Sequence, residues 1–428
     1  MTFSRHIVIT LLGSLGDLHP MIALGIALQA RGHRVTIATV EVYRKKIEGE
    51  GLGFHLIRSN LAVEDDAIYQ ELFDPVFGPK ILMQKYLIPM VRDMYDDLLP
   101  LLRSADFLVN STLVLPGPVI AESLQLPWAS VALQPMLYLS AYDPPLLPLL
   151  PALEKCHGLG PRFWGPLLWF FKRTARHWPD TVYALRRELG LSTRLSPLFE
   201  GQFSPVLNLA MFSTLLGKPQ PDWPVNTHVS GFSFYDRMDD ACDKFSSNNL
   251  SSLPKAVRDF LDAGEPPVVF ALGSSAVRVA GGFYETAITT AKRMGFRAIC
   301  ITGANRPASQ VSKDILLWEA LPYSELFPYA RAVVHQGGAG TTAQVLRAGK
   351  PMVMVPYAFD QLDNAARMKR LGVSQTIGRK QCDVRHMTHR LEQLFNQPSY
   401  QSQALVAAAH IKTENGSQTA CELIEAQL

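Results

Sequence analysis

The chain has 428 residues, of which 47% are hydrophobic and 18% are charged. This length predicts two or three domains, and the composition allows large buried cores and excludes wholesale disorder. Lys and Arg total 41 against 38 Asp and Glu, and the resulting net charge of +3 is too small and too scattered to predict a nucleic-acid partner.

The cysteines predict neither disulfides nor a zinc site. Five are present, far apart and without a CxxC pair: Cys156, Cys242, Cys300, Cys382 and Cys421. This pattern is typical of free thiols in a reducing cytoplasm. The N-terminal apolar run is too short for a signal peptide, and prolines interrupt the 20 uncharged residues between Glu122 and Asp143. We therefore predict a cytoplasmic chain without a transmembrane helix.

The first half of the chain begins with a predicted βαβ unit. "HIVITLL" has the composition of a buried strand, "GSLGD" that of a glycine turn, and Pro20 to Arg31 that of an amphipathic helix. "HRVTIAT" is the second strand of this unit. Further strands are predicted at "FHLIR", "DFLVN" and "WASVAL".

The second half repeats this organisation. "PPVVFALGSS" is a buried strand that runs into a Gly-Ser turn, and strands follow at "RAICIT", "ILLWEA", "ARAVVH" and "PMVMVP". Between the halves, residues Asp236 to Lys255 are polar and rich in Ser and Asn, which indicates a linker. Two doubly wound α/β domains facing each other would place both glycine turns at one interdomain cleft.

The segment "VVHQGGAGTTAQVLRAGKPMVMVPYAFDQLDNA" (333–365) carries the densest pattern. A strand at Ala332 to Val334 precedes a glycine turn and a helix predicted over Gly340 to Gly349. The free N–H groups and the dipole at a helix start favour an anion such as a diphosphate. A dinucleotide-binding turn, or a turn with no ligand, stays an alternative on this pattern alone.

Together, "HQGGAGTT" and the later "DQ" resemble the donor-binding signature of the nucleotide-sugar-dependent glycosyltransferases of GT-B fold, which include natural-product and sterol glucosyltransferases. "GSLGDLHPMIALGIALQARGHRVTIAT" resembles the N-terminal signature of the same family in its bacterial Gly-Asp form. The likeness covers nearly the whole chain. It implies an α/β protein with two Rossmann-like domains facing across a cleft: residues 1–235 bind the acceptor, 236–255 are the linker, and 256–428 bind the donor, with the last helix a candidate to pack back on the first domain.

The resemblance implies a set of donor contacts. The His335 imidazole N–H would reach a phosphate oxygen, with backbone donors from Gly338, Ala339, Gly340 and Thr341. Asp360 and Gln361 would hold the sugar hydroxyls, although Asp360 could equally cap the helix that runs to Leu371.

The other donor contacts are less determined. Ser274 and Ser275 follow Gly273, where they could donate to the diphosphate or the ribose, or simply form a strand-to-helix turn. Plant members stack a Trp on uracil, but the matching stretch here is "EALPYSE", which leaves Leu321 and Tyr323 as the candidate base contacts. The choice between a UDP- and a dTDP-sugar stays open.

Asp17 is the candidate catalytic base, with Gly16 beside it as a donor contact. Sugar transfer to a hydroxyl requires removal of the hydroxyl proton, and a positioned carboxylate can take it. Capping of the following helix is the alternative role for Asp17, and His19 is a rival base. Relatives with a histidine base often orient it through an aspartate, but here the matching position is Asn110 and no such dyad is evident.

The predicted activity is inverting transfer of a hexose, glucose or rhamnose, to a hydroxyl of a lipid, sterol or natural product. The stretch from Leu133 to Trp178, rich in Leu, Pro, Trp and Phe, would line an apolar acceptor site, touch the inner face of a membrane transiently, or only pack on the first sheet. No Asp-x-Asp motif is present, so neither a metal nor another cofactor is expected. An epimerase of the same fold and a non-catalytic nucleotide-sugar binder stay as alternatives.

Overall fold

A computed structural model describes residues 4–59, 66–147, 151–236, 253–304 and 312–428. The chain divides into two compact units. The first comprises Met1–Leu72, Val76–Tyr235 and Glu414–Leu428, and the second comprises Phe73–Pro75 and Asp236–Thr413. Most of the predicted linker, and with it Cys242, lies outside the described residues.

The first unit is built on a parallel sheet. Among the described residues this sheet has seven strands in the order β3-β2-β1-β4-β5-β6-β7. They are β1 His6–Thr10, β2 Arg34–Thr39, β3 Gly53–Leu56, β4 Phe107–Ser111, β5 Trp128–Ala132, β6 Leu207–Ala210 and β7 Thr227–Val229. The strand order reverses between β1 and β4, and a ligand site in such a sheet is expected at the carboxyl ends of these two strands.

The second unit has its own parallel sheet. Its strands among the described residues follow the order β10-β9-β8-β11-β12-β13. They are β8 Val268–Ala271, β9 Ala298–Ile301, β10 Ile315–Trp318, β11 Ala332–His335, β12 Met352–Met354 and β13 Ser374–Thr376. The reversal lies between β8 and β11, whose facing residues include Ala271 and His335. The turns that follow these two strands therefore lie side by side.

Helices connect the strands in both units. In the first unit they are α1 Leu15–Ala30, α2 Arg44–Gly49, α3 Asp66–Leu72, α4 Gly78–Ile81, α5 Val91–Leu102, α6 Gly117–Leu124, α7 Pro161–Ala175 and α8 Asp180–Glu188. In the second they are α9 Lys255–Asp262, α10 Gly273–Ala276, α11 Phe283–Met294, α12 Tyr323–Leu326, α13 Ala339–Arg347, α14 Gln361–Leu371, α15 Val384–Asn396 and α16 Pro398–Ile411. The last helix, α17 Gly416–Glu425, belongs to the first unit.

The predicted strands correspond to β1–β5 and β8–β12. The central strands β1, β4, β8 and β11 are buried along their whole length, as expected for parallel strands covered by helices on both faces. The prediction missed β6, β7 and β13. The last two lie at sheet edges and are short, and β13 (Ser374–Thr376) has no apolar run that would mark it. For β6 a signal existed, since "VLNLAMF" around it is almost continuously apolar.

The first helix begins earlier than the sequence predicted. It starts at Leu15 rather than Pro20 because a capping box fixes its N-terminus. The Ser14 hydroxyl accepts from the Gly16 N–H at 3.2 Å, and the Asp17 carboxylate accepts from the Ser14 N–H at 2.8 Å. Pro20 then lies inside the first turns of the helix, so Gly16 and Asp17 are helical rather than part of a loop.

The last helix packs on α1 and is held there by an ion pair. Glu425 accepts two hydrogen bonds from the Arg31 guanidinium, at 2.8 and 2.6 Å. The His33 Nε2 lies 3.1 Å from the same carboxylate. These partners, the Arg31 hydrogen bond above all, lower the pKa of Glu425, so the carboxylate stays charged at neutral pH. The bidentate pair connects the two ends of the first unit's chain.

Candidate active site

The glycine turn lies at the carboxyl edge of the second sheet, between β11 and α13. Gly337 has φ of +95°, and a Cβ there would lie 3.0 Å from the Gln361 carbonyl oxygen, so only glycine fits. The helix begins at Ala339, one residue before the predicted start, and Gly338 is its N-cap. Gly338 has no side chain to cap the helix, so the first N–H groups of α13 point out of its N-terminus towards a potential anion.

His335 lies directly before this turn, and its ring is completely buried. Its Nδ1 accepts the Gly337 N–H at 3.1 Å, which places the ring proton on Nε2, 3.3 Å from the Met352 sulfur. Desolvation lowers the pKa of His335 from 6.5 to about 3, so the ring is neutral. In this structure His335 holds the turn in shape, and its contact with a phosphate oxygen stays a prediction.

Gln336 lies between the two neighbouring turns. It is buried, and its amide nitrogen lies close to both glycines of these turns. A Cβ added at Gly273 would lie 2.4 Å from this nitrogen, and one added at Gly338 would lie 2.8 Å from it. Its Oε1 finds no hydrogen-bond partner among the described residues. A buried amide oxygen without a partner is costly, so this oxygen is a candidate ligand contact. The sequence prediction did not include Gln336, because a polar residue inside a glycine turn carries no distinguishing signal.

The predicted base and ribose contacts lie around the same turn. The Tyr323 hydroxyl makes a hydrogen bond with the Gly273 backbone, and burial raises its pKa to about 12. Its ring stacks on Phe327 with a centroid distance of 4.5 Å. Leu321 is buried. The short helix α10 carries the two predicted serines, of which Ser274 is exposed and Ser275 is half-buried.

Asp360 and Gln361 lie at the start of α14, but their side chains make different hydrogen bonds. Gln361 is buried, and its Oε1 accepts the N–H groups of Tyr357 at 2.8 Å and Ala358 at 3.2 Å. This oxygen holds the loop after β12, and a contact of Gln361 with the sugar stays a prediction. Asp360 stands at the N-cap position without making a capping bond, so its alternative role as a helix cap is not what the structure shows.

Asn364 connects the two parts of this region. It is completely buried, and its amide nitrogen donates to the Gly337 carbonyl at 2.9 Å and to the Asp360 carboxylate at 2.6 Å. One side chain thus fixes the glycine turn and the carboxylate relative to each other. Asn364 is part of the quoted motif "DQLDNA". Its contacts form only because the loop after β12 brings α14 next to the glycine turn, and residue spacing does not predict them.

The backbone before Asp360 adopts a left-handed conformation. Phe359 has φ of +56°, which is uncommon for a bulky side chain and costs free energy. Its ring packs edge-on against Phe73 at 5.7 Å, and Phe73 belongs to a short segment from the first half of the chain that joins the second unit. The contact helps to hold the strained turn that presents Asp360, and no local pattern predicts it.

The switch point of the first sheet presents Asp17. The side chain is half-buried, and its Oδ2 accepts the Ser14 N–H at 2.8 Å. Desolvation raises the pKa of Asp17 above its ordinary value, although the Ser14 hydrogen bonds oppose the shift. Gly13 has φ of +135°, and a Cβ there would lie 2.3 Å from the Asp17 oxygen. The glycine makes room for the carboxylate.

The other candidates near Asp17 have separate roles. The His19 ring packs on Tyr235 with a centroid distance of 5.1 Å. Asn110, at the end of β4, is buried and accepts from the Thr10 hydroxyl at 2.7 Å, and it donates to the Ser111 carbonyl at 2.8 Å. It therefore joins the ends of β1 and β4 rather than orienting a base.

Comparisons with known proteins agree with this architecture. Residues 7–137 match the model of the glycosyltransferase family 28 N-terminal domain. Residues 297–425 match the C-terminal domain described as erythromycin biosynthesis protein CIII-like. Among curated proteins, the O-mycaminosyltylonolide 6-deoxyallosyltransferase of Streptomyces fradiae is 29% identical, over 98% of this chain and 97% of its own. The chain is a glycosyltransferase of GT-B fold.

Other relatives of the glycosyltransferase are larger or known from structures. The sterol 3-beta-glucosyltransferase of Cryptococcus neoformans var. neoformans serotype D is 28% identical over 96% of this chain, which spans only 26% of that protein. The solved glycosyltransferase of kitacinnamycin superposes with a TM-score of 0.73 at 20% identity and full coverage of both chains. A spinosyn rhamnosyltransferase complexed with thymidine diphosphate gives 0.67 at 18% identity, with 99% of both chains covered.

The described part of the glycosyltransferase offers neither a metal cluster nor a membrane span. It contains no group of three or more His, Cys, Asp or Glu side chains able to bind a metal ion. It also contains no helix with the length and apolarity needed to cross a bilayer. The predicted site residues gather at two places, the β1–α1 turn of one sheet and the β8–β11 switch point of the other.

Proposed function

We propose that the enzyme transfers a hexose from a nucleoside diphosphate to a hydroxyl of an apolar acceptor, with inversion at the anomeric carbon. The observation that carries the proposal is the uncapped start of α13 beside the Asp360 carboxylate, because it offers an anion site next to a sugar-hydroxyl acceptor. The diphosphate would accept from the N–H groups of Gly338, Ala339, Gly340 and Thr341. Asp360 would accept from the sugar.

The donor is proposed to be a dTDP- or UDP-sugar. A rhamnosyltransferase of the same fold was solved with thymidine diphosphate, which supports the first choice. In this protein the Gln336 Oε1, Ser274 and Ser275 are proposed to contact the ribose or the phosphates. Leu321 and Tyr323 are proposed to line the base site, with the ring of Tyr323 held in place by Phe327.

The acceptor is proposed to be a lipid, a sterol or a natural product. The named relatives act on a macrolide intermediate and on sterols, both of which are large and mostly apolar. The motifs "GDLHP", "DWP" and "DQLDNA" resemble those of the rhamnosyltransferase of rhamnolipid biosynthesis. We therefore propose glucose or rhamnose as the sugar.

Asp17 is proposed as the base. Its carboxylate would take the acceptor proton while the acceptor oxygen bonds to the anomeric carbon and the bond to the diphosphate oxygen breaks. The raised pKa makes the carboxylate a stronger base than an exposed aspartate. Gly16 lies beside Asp17 in the first turn of α1 and is proposed as a donor contact.

The test is Asp17→Asn, which keeps the size of the side chain and an oxygen that can accept the Ser14 N–H. We expect a near-normal melting temperature and donor affinity, with transfer to a hydroxyl acceptor reduced by roughly 10²–10⁴. An acidic phenol that is already ionised should regain part of the rate, because it needs no base. Product formation would be followed by chromatography.

His19→Ala is the matched control for Asp17→Asn. It removes the neighbouring imidazole and should leave transfer within a few-fold of the wild type. If His19→Ala abolishes transfer while Asp17→Asn remains active, the base is His19 and the assignment fails.

A further inference from the structure

The helix α7 is fixed to the first unit by one face only. Trp164 and Leu168 are each 3% exposed, and the Trp164 indole donates to the Cys156 carbonyl at 3.0 Å. Phe171 packs edge-on against Phe199 at 6.3 Å. This inner face supplies the contacts that hold the helix, so the residues on its other face are not needed for packing.

The outer face of α7 nevertheless carries large aromatic side chains. Phe163, Trp169 and Phe170 are 41%, 64% and 62% exposed. Leu159, just before the helix, is 58% exposed. Single exposed apolar residues are ordinary, but several on one short element mark an interaction surface. We name this surface the α7 aromatic face: Leu159, Phe163, Trp169 and Phe170.

The charged residues within the segment 155–178 have one sign. Residues 155–178 contain Lys155, Arg162, Lys172, Arg173 and Arg176 and no Asp or Glu, whereas the whole chain has a net charge of only +3. The Arg173 guanidinium lies 5.9 Å from the centre of the Trp169 ring. Aromatic and basic side chains are therefore mixed on the same side of the helix.

We propose that the α7 aromatic face docks the enzyme on a lipid surface with anionic head groups. Trp and Phe rings insert at the boundary between head groups and acyl chains, while Lys and Arg stay with the phosphates. A second copy of the same face would bring five cations against five, which opposes self-association through it. The inference extends the proposed function, because an apolar acceptor would dissolve in the surface that the helix contacts.

The test is co-sedimentation of the full chain with vesicles, without donor or acceptor. We expect binding to vesicles that contain phosphatidylglycerol, little binding to pure phosphatidylcholine, and weaker binding at high salt. Trp169→Glu with Phe170→Glu should lower the vesicle affinity at least tenfold. Arg162→Gln with Arg173→Gln should lower it by about fivefold for each cation removed.

The matched control is Leu405→Glu with Val406→Glu, an adjacent exposed apolar pair (57% and 64%) on α16. It makes the same charge change on a helix of the second unit, and vesicle binding should fall far less than in the α7 pair. A blue shift of tryptophan emission on phosphatidylglycerol vesicles should be reduced in Trp169→Phe, which keeps an aromatic ring. Each variant is compared with the wild type by circular dichroism, so that loss of folding is recognised.

Three results would overturn the proposal: no binding of the wild type to anionic vesicles, equal loss in the control pair, or equal binding to pure phosphatidylcholine. A change of oligomeric state in Trp169→Glu with Phe170→Glu, measured without lipid by sedimentation velocity, would assign the face to a protein contact instead. Because vesicle binding is measured without substrates, failure of the proposed glycosyl transfer would leave this result intact, and the reverse also holds.

Discussion

Asp17 and His335 are titratable side chains at the two sheet edges, and burial shifts their pKa values in opposite directions. Desolvation disfavours the charged form of each, so the pKa of the carboxyl rises and that of the imidazole falls. A carboxylate with a raised pKa is suited to proton transfer. A neutral imidazole with both nitrogens engaged is suited to holding a turn.

The first residue-scale prediction concerns His335→Ala. The variant leaves the Gly337 N–H without its acceptor, so we expect the free energy of unfolding to fall by roughly 1–3 kcal/mol even without nucleotide. Affinity for a nucleoside diphosphate should fall as well, because the turn loses its shape. Thermal melts with and without nucleotide measure both effects.

The pH dependence of the same variant is a check on this role. The folded pKa of about 3 lies below the ordinary 6.5, so the unfolded chain binds a proton first as the pH falls. The His335 contribution to unfolding free energy should therefore decrease below about pH 6.5, and the variant should lack this component. If His335→Ala has normal stability but loses nucleotide affinity, His335 contacts the phosphate directly instead.

The second residue-scale prediction concerns Asn364→Ala, which removes the link between the Gly337 carbonyl and Asp360. If Asn364 orients Asp360 towards the sugar, affinity for the nucleotide sugar should fall about tenfold, and affinity for the nucleoside diphosphate alone should fall less. Calorimetric titration with each ligand measures this difference. Lys369→Ala, at an exposed position of the same helix, is the control. Equal losses for both ligands would mean that Asn364 supports only the glycine turn.

At the scale of elements, the return of the chain to the first unit depends on close approach between backbones. A Cβ at Gly416, the first residue of α17, would lie 2.3 Å from the Phe232 carbonyl oxygen. The Ser213 hydroxyl donates to Glu414 at 2.6 Å and anchors the same segment. The backbone contact with Phe232 and the hydrogen bond from Ser213 therefore fix the start of α17.

Gly416→Ala tests this geometry. The added methyl must displace backbone, and we expect the free energy of unfolding to fall by roughly 1–3 kcal/mol, as for other overpacked sites. Gly49→Ala is the matched control, since a Cβ at Gly49 meets nothing within 4 Å and alanine favours the helix. Chemical denaturation of both variants gives the comparison. Similar stability of the two would show that the chain at Gly416 relaxes without cost.

At the scale of the whole molecule, each of the two parallel sheets carries a different set of the candidate site residues. The first sheet presents a carboxylate of raised pKa, and the second presents an uncapped helix start with Asp360 beside it. In the proposed reaction the leaving diphosphate is stabilised by peptide N–H groups and the dipole of α13. The proposal therefore gives a divalent cation no required role.

Transfer activity should accordingly survive an excess of EDTA. The measurement is product formation with and without the chelator, after dialysis to remove bound ions. Loss of activity in EDTA with recovery on addition of Mg²⁺ would show that the diphosphate charge is met by a metal ion, and the role proposed for α13 would have to be revised.

The sequence by itself determined the fold class, because buried strands, glycine turns and helices each leave a local pattern of apolar residues and turn residues. It also predicted the turn after β11 and the carboxylate at Asp17, because glycines and charged residues that follow an apolar run can be recognised in the sequence. The edge strand β13 and the true start of α1 were missed, the first for lack of an apolar run and the second because a capping box competed with Pro20.

Only the tertiary structure decided which hydrogen bonds the predicted residues make within the protein. The Gln361 oxygen and both His335 nitrogens contact other groups of the protein, whereas Gln336 and Asn364 lie beside the glycine turn after β11. The left-handed turn at Phe359 rests on a ring contributed by Phe73, far away in the chain. Side-chain direction depends on neighbours brought together by the sheet order, and residue spacing along the chain carries no information about them.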